Sequence, residues 1–193
     1  MHARILDEPP VSGSIPEVSF AQSGPPVMWV EFTNDGGARW AGVFDVGDPV
    51  LPERVVPFAT DSAAALVIAR GRGYVVDVAE RTLRYAVARP VVLDAVPVPG
   101  KDYVLACDSR HVRAYASHGD GHPLWERYVA LDGMNLRGAT SDALTGYVEE
   151  DLWENDSPVT VWREFTLKLA DRQVSYGEIV PEREARARET QRR

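Results

Sequence analysis

The side chains best suited to acid–base or metal chemistry lie in two short segments of the chain. His118 and His122 flank Asp120, so two imidazoles and a carboxylate are able to converge on a metal ion or to exchange protons. Asp108 and His111 form a second carboxylate–imidazole pair, three residues apart. The sequence offers no third protein ligand beside the two loop histidines, and a glycine-flanked loop is where solvated histidines ordinarily occur. We therefore predict no metal and no cofactor, and an enzyme or small-ligand-binding protein with a site at these five residues is the alternative function.

Five carboxylates surround a tryptophan near residue 150. Their spacing differs from that of an EF-hand calcium loop, which needs oxygen ligands at alternate positions and a glycine at the sixth. A solvated acidic loop is one interpretation, and a binding site in which the indole anchors a basic protein partner is the other. The predicted partner-binding residues are Glu149, Glu150, Asp151, Trp153, Glu154 and Asp156.

The charge of the chain is negative and uneven. The net charge is −8, but residues 182–193 contain five arginines and three glutamates, so these residues carry +2 and the remainder carries −10. A surface this acidic repels the phosphate backbone of nucleic acids and favours a basic partner. We predict a protein partner with a basic surface, and no nucleic acid.

The histidines must be positioned by a group of strands at the centre of the chain. Tyr103–Cys107 is a continuous apolar run of strand length, and His111–Ala116 alternates small or apolar residues with polar or aromatic ones. Turn residues follow, and residues 124–131 resume as a third strand. The pattern predicts an antiparallel meander whose first strand is buried on both faces.

Further hairpins are predicted on both sides of this meander. Residues 28–33 and 39–46 flank an Asn-Asp-Gly-Gly turn, and residues 74–87 repeat the pattern of strand, turn and strand. Residues 47–57 contain three prolines and are predicted to be a connection, and residues 132–142 are predicted to be rich in turns. Residues 159–169 alternate with period two and are predicted to be a strand with one apolar face.

The sequence predicts three parts to the chain. Residues 1–26 contain five prolines and are predicted to form an extended N-terminal arm. Residues 27–180 are predicted to form one all-β domain of antiparallel meanders, and residues 181–193 a charged C-terminal tail without an apolar face.

Three segments share the unit of strand, turn and strand: YVVDVAERTLRYAV, HVRAYASHGDGHPLWERYV and REFTLKLADRQVSY. In the middle copy Ala114 precedes the turn, and Trp125 follows Gly121 by four residues. This copy resembles the repeats of quinoprotein-type and WD40-type β-propellers, and the resemblance covers residues 74–87, 103–130 and 162–176. In the other two copies Tyr85 and Tyr176 replace the tryptophan and the glycine is missing. The resemblance implies a propeller-like fold; a sandwich or curved sheet is the alternative.

Composition limits the function classes further. The sequence contains no apolar run of the length that a membrane span needs, and no secretory signal in its first residues, so we predict a cytoplasmic protein and no membrane partner. Its arginine bias is typical of a GC-rich bacterial genome. The single cysteine, Cys107, lies in the most apolar predicted strand and is interpreted as a small buried hydrophobe. With no hydrolase or kinase signature present, the sequence favours a non-enzymatic interaction module, for example an immunity-type or accessory factor with an acidic binding surface.

Overall fold

The computed structural model describes residues 1–11, 13–22, 24–88, 91–154 and 157–182, and for Trp153 and Glu154 it describes the backbone alone. Within these ranges sixteen strands form four sheets of four strands each. The prediction of an all-β fold built from antiparallel meanders is confirmed. No helix in the described ranges is long and apolar enough to cross a membrane.

The first sheet draws two of its strands from the proline-rich N-terminal segment. Its spatial order is β1-β3-β4-β2, and β2 runs parallel to β4 whereas the other pairs are antiparallel. Segments of the predicted arm therefore pair with the sheet, because the prolines lie outside the two short paired runs. The strands are β1 (His2–Leu6), β2 (Glu17–Ser19), β3 (Val27–Thr33) and β4 (Arg39–Asp45).

The other three sheets are antiparallel meanders in chain order. The second contains β5 (Glu53–Pro57), β6 (Ala64–Ala69), β7 (Arg72–Asp77) and β8 (Thr82–Ala86). The third contains β9 (Asp94–Pro97), β10 (Tyr103–Cys107), β11 (His111–Ala116) and β12 (Trp125–Tyr128). The fourth contains β13 (Gly133–Ala139), β14 (Ala143–Glu154), β15 (Ser157–Lys168) and β16 (Val174–Val180).

The three sequence repeats occupy the same place in their sheets. They form the third and fourth strands, β7–β8, β11–β12 and β15–β16, so the equivalence read from the sequence holds in the structure. In the middle copy Ala114 and Trp125 are direct partners across the ladder. Successive four-stranded meanders of this kind are the units of β-propellers, and the arrangement is propeller-like.

Three apolar layers hold the sheets together in sequence order. Phe32 and Trp40 belong to the layer between the first and second sheets, Leu66 to the layer between the second and third, and Leu105 and Phe165 to the layer between the third and fourth. Among the described residues no apolar cluster joins the fourth sheet to the first. Within the described residues the sheets thus pack in chain order, and the second and third sheets are covered on both faces.

Two stretches predicted to be irregular contain strands. Residues 47–57 include β5, and residues 132–142 include β13. Both are the first strand of their sheet and have a neighbouring strand of that sheet on one side only, so Pro57 and the glycines of β13 are tolerated at a sheet edge. Cys107 is buried, as interpreted from the sequence, and burial raises the pKa of its thiol well above the ordinary value.

Candidate interaction surface and the predicted histidine site

Asp108 and His111 lie together at the turn between β10 and β11. Asp108 Oδ1 accepts hydrogen bonds from the backbone N–H groups of Arg110 (2.6 Å) and His111 (2.7 Å), and Asp108 Oδ2 accepts one from Arg113 (2.7 Å). Burial acts to raise the pKa of Asp108, but these donors outweigh it and hold the pKa below its usual range. His111 Nδ1 lies 3.6 Å from the same carboxylate. This geometry fixes a tight turn around a charged carboxylate.

His118, Asp120 and His122 lie beyond the other end of β11. Asp120 accepts a hydrogen bond from the backbone N–H of His122 (3.0 Å), and His118 Nε2 lies 3.4 Å from Asp61. Five residue steps of strand, about 17 Å, separate the two ends of β11. The structure therefore divides the five predicted residues into two groups and does not bring them into one pocket. No group of three or more histidine, cysteine or acidic side chains suited to a metal occurs among the described residues.

His118 borders a cluster of charges that the sequence analysis missed. Arg84 of β8 donates hydrogen bonds to Asp61 (2.5 Å), to Asp77 (2.7 Å) and to the backbone carbonyl of Ser117 (3.1 Å). Burial acts to raise the pKa of both aspartates, and hydrogen bonds and the arginine charge lower it further than burial raises it. The cluster ties the loop after β11 to the second sheet. Because its members are up to 56 positions apart in the chain, no local motif signals it.

The acidic segment forms a long β-hairpin, which corrects the interpretation of it as a loop. β14 and β15 remain paired from Ala143↔Lys168 to Glu154↔Ser157, whereas β13 joins β14 only as far as Glu149. The hairpin therefore extends five residues, about 17 Å, past the start of β13. We call this extension, residues 150–154 and 157–161, the ribbon.

The predicted partner-binding residues are distributed along this hairpin. Glu150 pairs with Arg163 (2.9 Å), and Asp151 accepts a hydrogen bond from Thr160 (2.8 Å). Glu149 is half-buried and has no ion pair among the described residues. The backbone of Trp153 lies opposite Pro158 near the end of the ribbon. The predictions for the side chains of Trp153 and Glu154, and for Asp156, lie outside the described residues.

Exposed apolar side chains occur on the face of the fourth sheet that packs against the third, at Val159, Tyr176 and Ile179, and at the end of the third sheet, at Tyr128 and Leu131. Tyr176 reaches from β16 to the segment after β12, where its hydroxyl donates to the carbonyl of Val129 (2.7 Å). Ile179 is the ladder partner of Arg163, and therefore points to the same face as Tyr176. We call the group the apolar patch; its members are between 39% and 69% exposed and are Tyr128, Leu131, Val159, Tyr176 and Ile179.

The alternation of apolar residues in the sequence predicted the apolar face of β15, but it did not predict that part of this face is exposed. The apolar residues at alternate positions of 159–169 share one face of β15 as predicted, and Phe165 and Leu167 are fully buried under the third sheet. Val159 continues the same row but lies on the ribbon, beyond the end of β16. A strand that extends beyond the end of a neighbouring strand leaves part of its apolar face exposed. The sequence of the strand alone does not show where its neighbours end.

Comparison with known proteins adds a likeness of fold. No protein-family model matches the sequence, and no curated protein matches it. Among solved structures the chain is similar to the WD40 domain of Neurospora crassa Pan2, with 13% sequence identity and a TM-score of 0.49. The match covers 80% of this chain and 48% of that one, so the chain spans about half the length of the domain that it matches.

Proposed function

We propose that this protein is a non-enzymatic protein-interaction module that binds a partner with a basic surface through the ribbon and the apolar patch. The observation that carries the proposal is a group of exposed apolar side chains on and beside the fourth sheet, with the carboxylate of Glu150 on the same face as Val159 and Ile179. Exposed apolar groups that cluster, rather than occur singly, are typical of interaction sites.

The two parts of this surface would contribute in different ways. Tyr128 and Tyr176 expose about half of their surface, and tyrosine supplies a large apolar area together with a hydroxyl. The carboxylates at the rim would attract a basic partner and raise the association rate. Because Glu150 and Asp151 already have partners within the hairpin, their contribution to final affinity should be smaller than that of the apolar patch.

The finer parts of the proposal concern the end of the ribbon and the biological role. Trp153, Glu154 and Asp156 complete the proposed partner-binding residues, with the indole as anchor. An immunity-type or accessory factor of the bacterial cytoplasm, which masks a basic surface of its partner, is the role that the net charge of −8 favours.

Affinity capture with a paired variant tests the proposal. The double variant Val159→Ser with Ile179→Ser removes exposed apolar groups from the patch, and Val50→Ser removes one that is 85% exposed in the segment between the first and second sheets. All three chains should melt alike, because exposed substitutions change stability by less than about 0.5 kcal/mol. Each tagged chain is incubated with lysate of the source organism, and the retained proteins are identified.

We expect the wild-type chain and Val50→Ser to retain the same basic protein, and the double variant to lose it. Retention should weaken as salt is raised, since the carboxylates act through screened charges. Retention of the same proteins by all three chains, or retention only of acidic proteins, would contradict the proposal.

A further inference from the structure

β16 lies at one end of the fourth sheet, and its outer edge has no partner strand among the described residues. It is seven residues long, whereas the strands at the same end of the other sheets, β2, β8 and β12, have three, five and four residues. Native sheets protect their free edges with short strands, prolines and charged residues, lysine above all. β16 contains no proline, no lysine and no arginine, and Glu178 is its single charged residue. This edge is therefore open to pairing with a further strand.

The hydrogen bonds of the hairpin show which backbone groups of β16 point outwards. The N–H of Lys168 donates to the carbonyl of Gln173 (2.9 Å) and closes the turn between β15 and β16. From this closing pair, an antiparallel ladder alternates between residues that bond to the neighbouring strand and residues that do not. Ser175 therefore bonds to β15, whereas the N–H and C=O groups of Val174 and Tyr176 face away from it.

A bulge in β16 brings Ile179 into the same orientation. Two residues of β16, Gly177 and Glu178, lie opposite one residue of β15 at this point. Ile179 then pairs with Arg163, one of the odd-numbered residues of β15, which direct their backbone groups to β14 since the even-numbered ones face β16. The backbone groups of Ile179 therefore also face outwards. Because of the bulge, Ile179 shares a face of the sheet with Tyr176, although the two are three positions apart.

The three residues with outward-facing backbone groups also have apolar side chains on one face of β16. Val174 packs against the apolar layer between the third and fourth sheets, and Tyr176 and Ile179 are 49% and 48% exposed. The hydroxyl of Tyr176 donates to the carbonyl of Val129 (2.7 Å), which holds the ring in place beside the edge. Hydrogen-bonded partners in an antiparallel ladder share a face. A strand added here would thus bond to these residues and cover their exposed side chains together.

The opposite face of this edge is negatively charged. Glu178 is exposed and has no ion pair among the described residues. Glu164, which lies opposite the bulge, has a side chain that is 42% exposed and pairs with Arg137 at 3.5 Å. Cross-strand pairs of opposite charge stabilise a sheet, whereas like charges destabilise it. An added strand therefore needs cationic side chains on this face, at positions that alternate with its apolar ones.

We propose that the partner binds by adding a strand antiparallel to β16, so that its main chain bonds to Val174, Tyr176 and Ile179. Every second residue of the added segment is apolar and covers Tyr176 and Ile179. The residues between them are lysine or arginine and lie on the face of Glu178. The inference rests on the proposed function and adds the conformation of the partner segment and the alternation that its sequence must have.

A titration with a short extended peptide tests this binding mode without the partner. The probe is acetyl-Lys-Val-Lys-Val-Lys-Val-Lys-amide. The control is the same peptide with an N-methyl group on each valine, which keeps every side chain and charge but removes the main-chain donors that would face β16. Nuclear magnetic resonance follows hydrogen exchange at the amides of Val174, Tyr176 and Ile179. We expect these amides to exchange rapidly in the free protein and about tenfold more slowly with saturating probe, and the control peptide to leave them unchanged.

Two single-residue variants and an internal reference complete the experiment. Glu178→Gln should weaken binding of the probe by about two- to fivefold, because a cross-strand pair of opposite charges is lost. Glu80→Gln removes an equal charge from the exposed turn between β7 and β8 and should leave binding unchanged. The amide of Ser175 bonds to β15 and should exchange slowly with and without the probe.

Slow exchange of Tyr176 and Ile179 in the free protein, no added protection with the probe at millimolar concentration, or equal protection by the N-methyl peptide would overturn the inference. Equal binding of the probe by Glu178→Gln and Glu80→Gln would overturn the requirement for basic residues. Protection that rises with protein concentration in the absence of the probe would overturn the assignment of the partner, since a second copy of the chain would then pair with the edge.

The outcomes remain separable from those of the capture experiment. If the probe fails to protect the edge while capture still depends on Val159 and Ile179, the inference of an added strand alone is wrong. If capture ignores the patch, the proposed function is wrong.

Discussion

Two glycines of the fourth sheet differ sharply in what a side chain would meet. A Cβ at Gly146 would lie 2.5 Å from the ring of Phe165 and closer still to the backbone carbonyl of Asn135, whereas a Cβ at Gly138 would meet nothing within 4 Å. Neither glycine has a positive φ, so backbone strain does not separate them. The difference between them is a difference in packing alone.

Alanine substitution at the two positions should therefore have opposite effects. Gly146→Ala should destabilise the protein by about 1–3 kcal/mol or more, because a methyl group is forced against backbone and a buried ring. Gly138→Ala should be neutral or should stabilise by up to about 1 kcal/mol, because alanine has fewer unfolded conformations to lose. Urea unfolding of both variants measures the difference. Equal destabilisation would show that the backbone of β13 and β14 does not tolerate alanine for reasons other than packing.

At the scale of elements, the Arg84 cluster joins the loop between β11 and β12 to the second sheet. The Arg84 side chain is 12% exposed, and Asp61 and Asp77 are 19% and 15% exposed. Removing one member of a buried charge group leaves the others without compensation and costs about 3 kcal/mol. We expect Arg84→Met to lose about this much at pH 7, and Arg4→Met, at a pair with Glu31 that is 62% exposed on the arginine side, to lose less than about 1 kcal/mol.

The pH dependence of that loss has a definite sign. The pKa values of Asp61 and Asp77 are lower in the folded protein than in the unfolded chain, where an aspartate has a pKa of about 3.9. The stabilisation is therefore fully present above the unfolded value and is lost as the pH falls through the lowered folded values. The difference between wild type and Arg84→Met, measured by urea unfolding, should stay nearly constant from pH 7 to about pH 4.5 and shrink as the pH falls below about 4. A constant difference would mean that the arginine acts through packing alone.

The strands also show which parts of the fold can be predicted from sequence patterns. Both strands beside the Asn-Asp-Gly-Gly turn were predictable, because turn chemistry and alternation agree there. β5 and β13 were not predictable, since a strand at the edge of a sheet does not need a continuous alternation of apolar and polar residues and tolerates proline and glycine. The carboxylates of the ribbon suggested a loop because charged residues are depleted in strands, yet two strands of one hairpin satisfy each other's backbone without apolar partners.

The same limit applies to the candidate site. The prediction singled out Glu149, but its neighbours in a small pocket beside β13, Asp132 and Trp162, lie 17 positions before it and 13 positions after it. Their proximity depends on the register of β13, β14 and β15, which the sequence did not specify. The histidines of the alternative site were close in sequence, but the length of β11 separates His111 from His118 and His122.

At the scale of the whole molecule, each sheet contacts mainly its neighbours in the chain. The three apolar layers have separate members, and β6 is the clearest case, since Val67 belongs to the first layer and Leu66 and Ile68 to the second. Chains built from units that contact only adjacent units have stabilities that depend on local interfaces, and their ends open before their middle.

Two phenylalanine truncations should reveal this organisation. Phe165 lies in the layer between the third and fourth sheets and Phe32 in the layer between the first and second, and both are fully buried. Each change to alanine should cost about 3–5 kcal/mol locally. In hydrogen exchange, Phe165→Ala should accelerate the amides of β14 and β15 while those of β4 and β6 keep their protection. Phe32→Ala should accelerate the amides of β3 and β4 while those of β14 and β15 keep their protection. Uniform acceleration across all four sheets in both variants would show that the series unfolds as one cooperative unit.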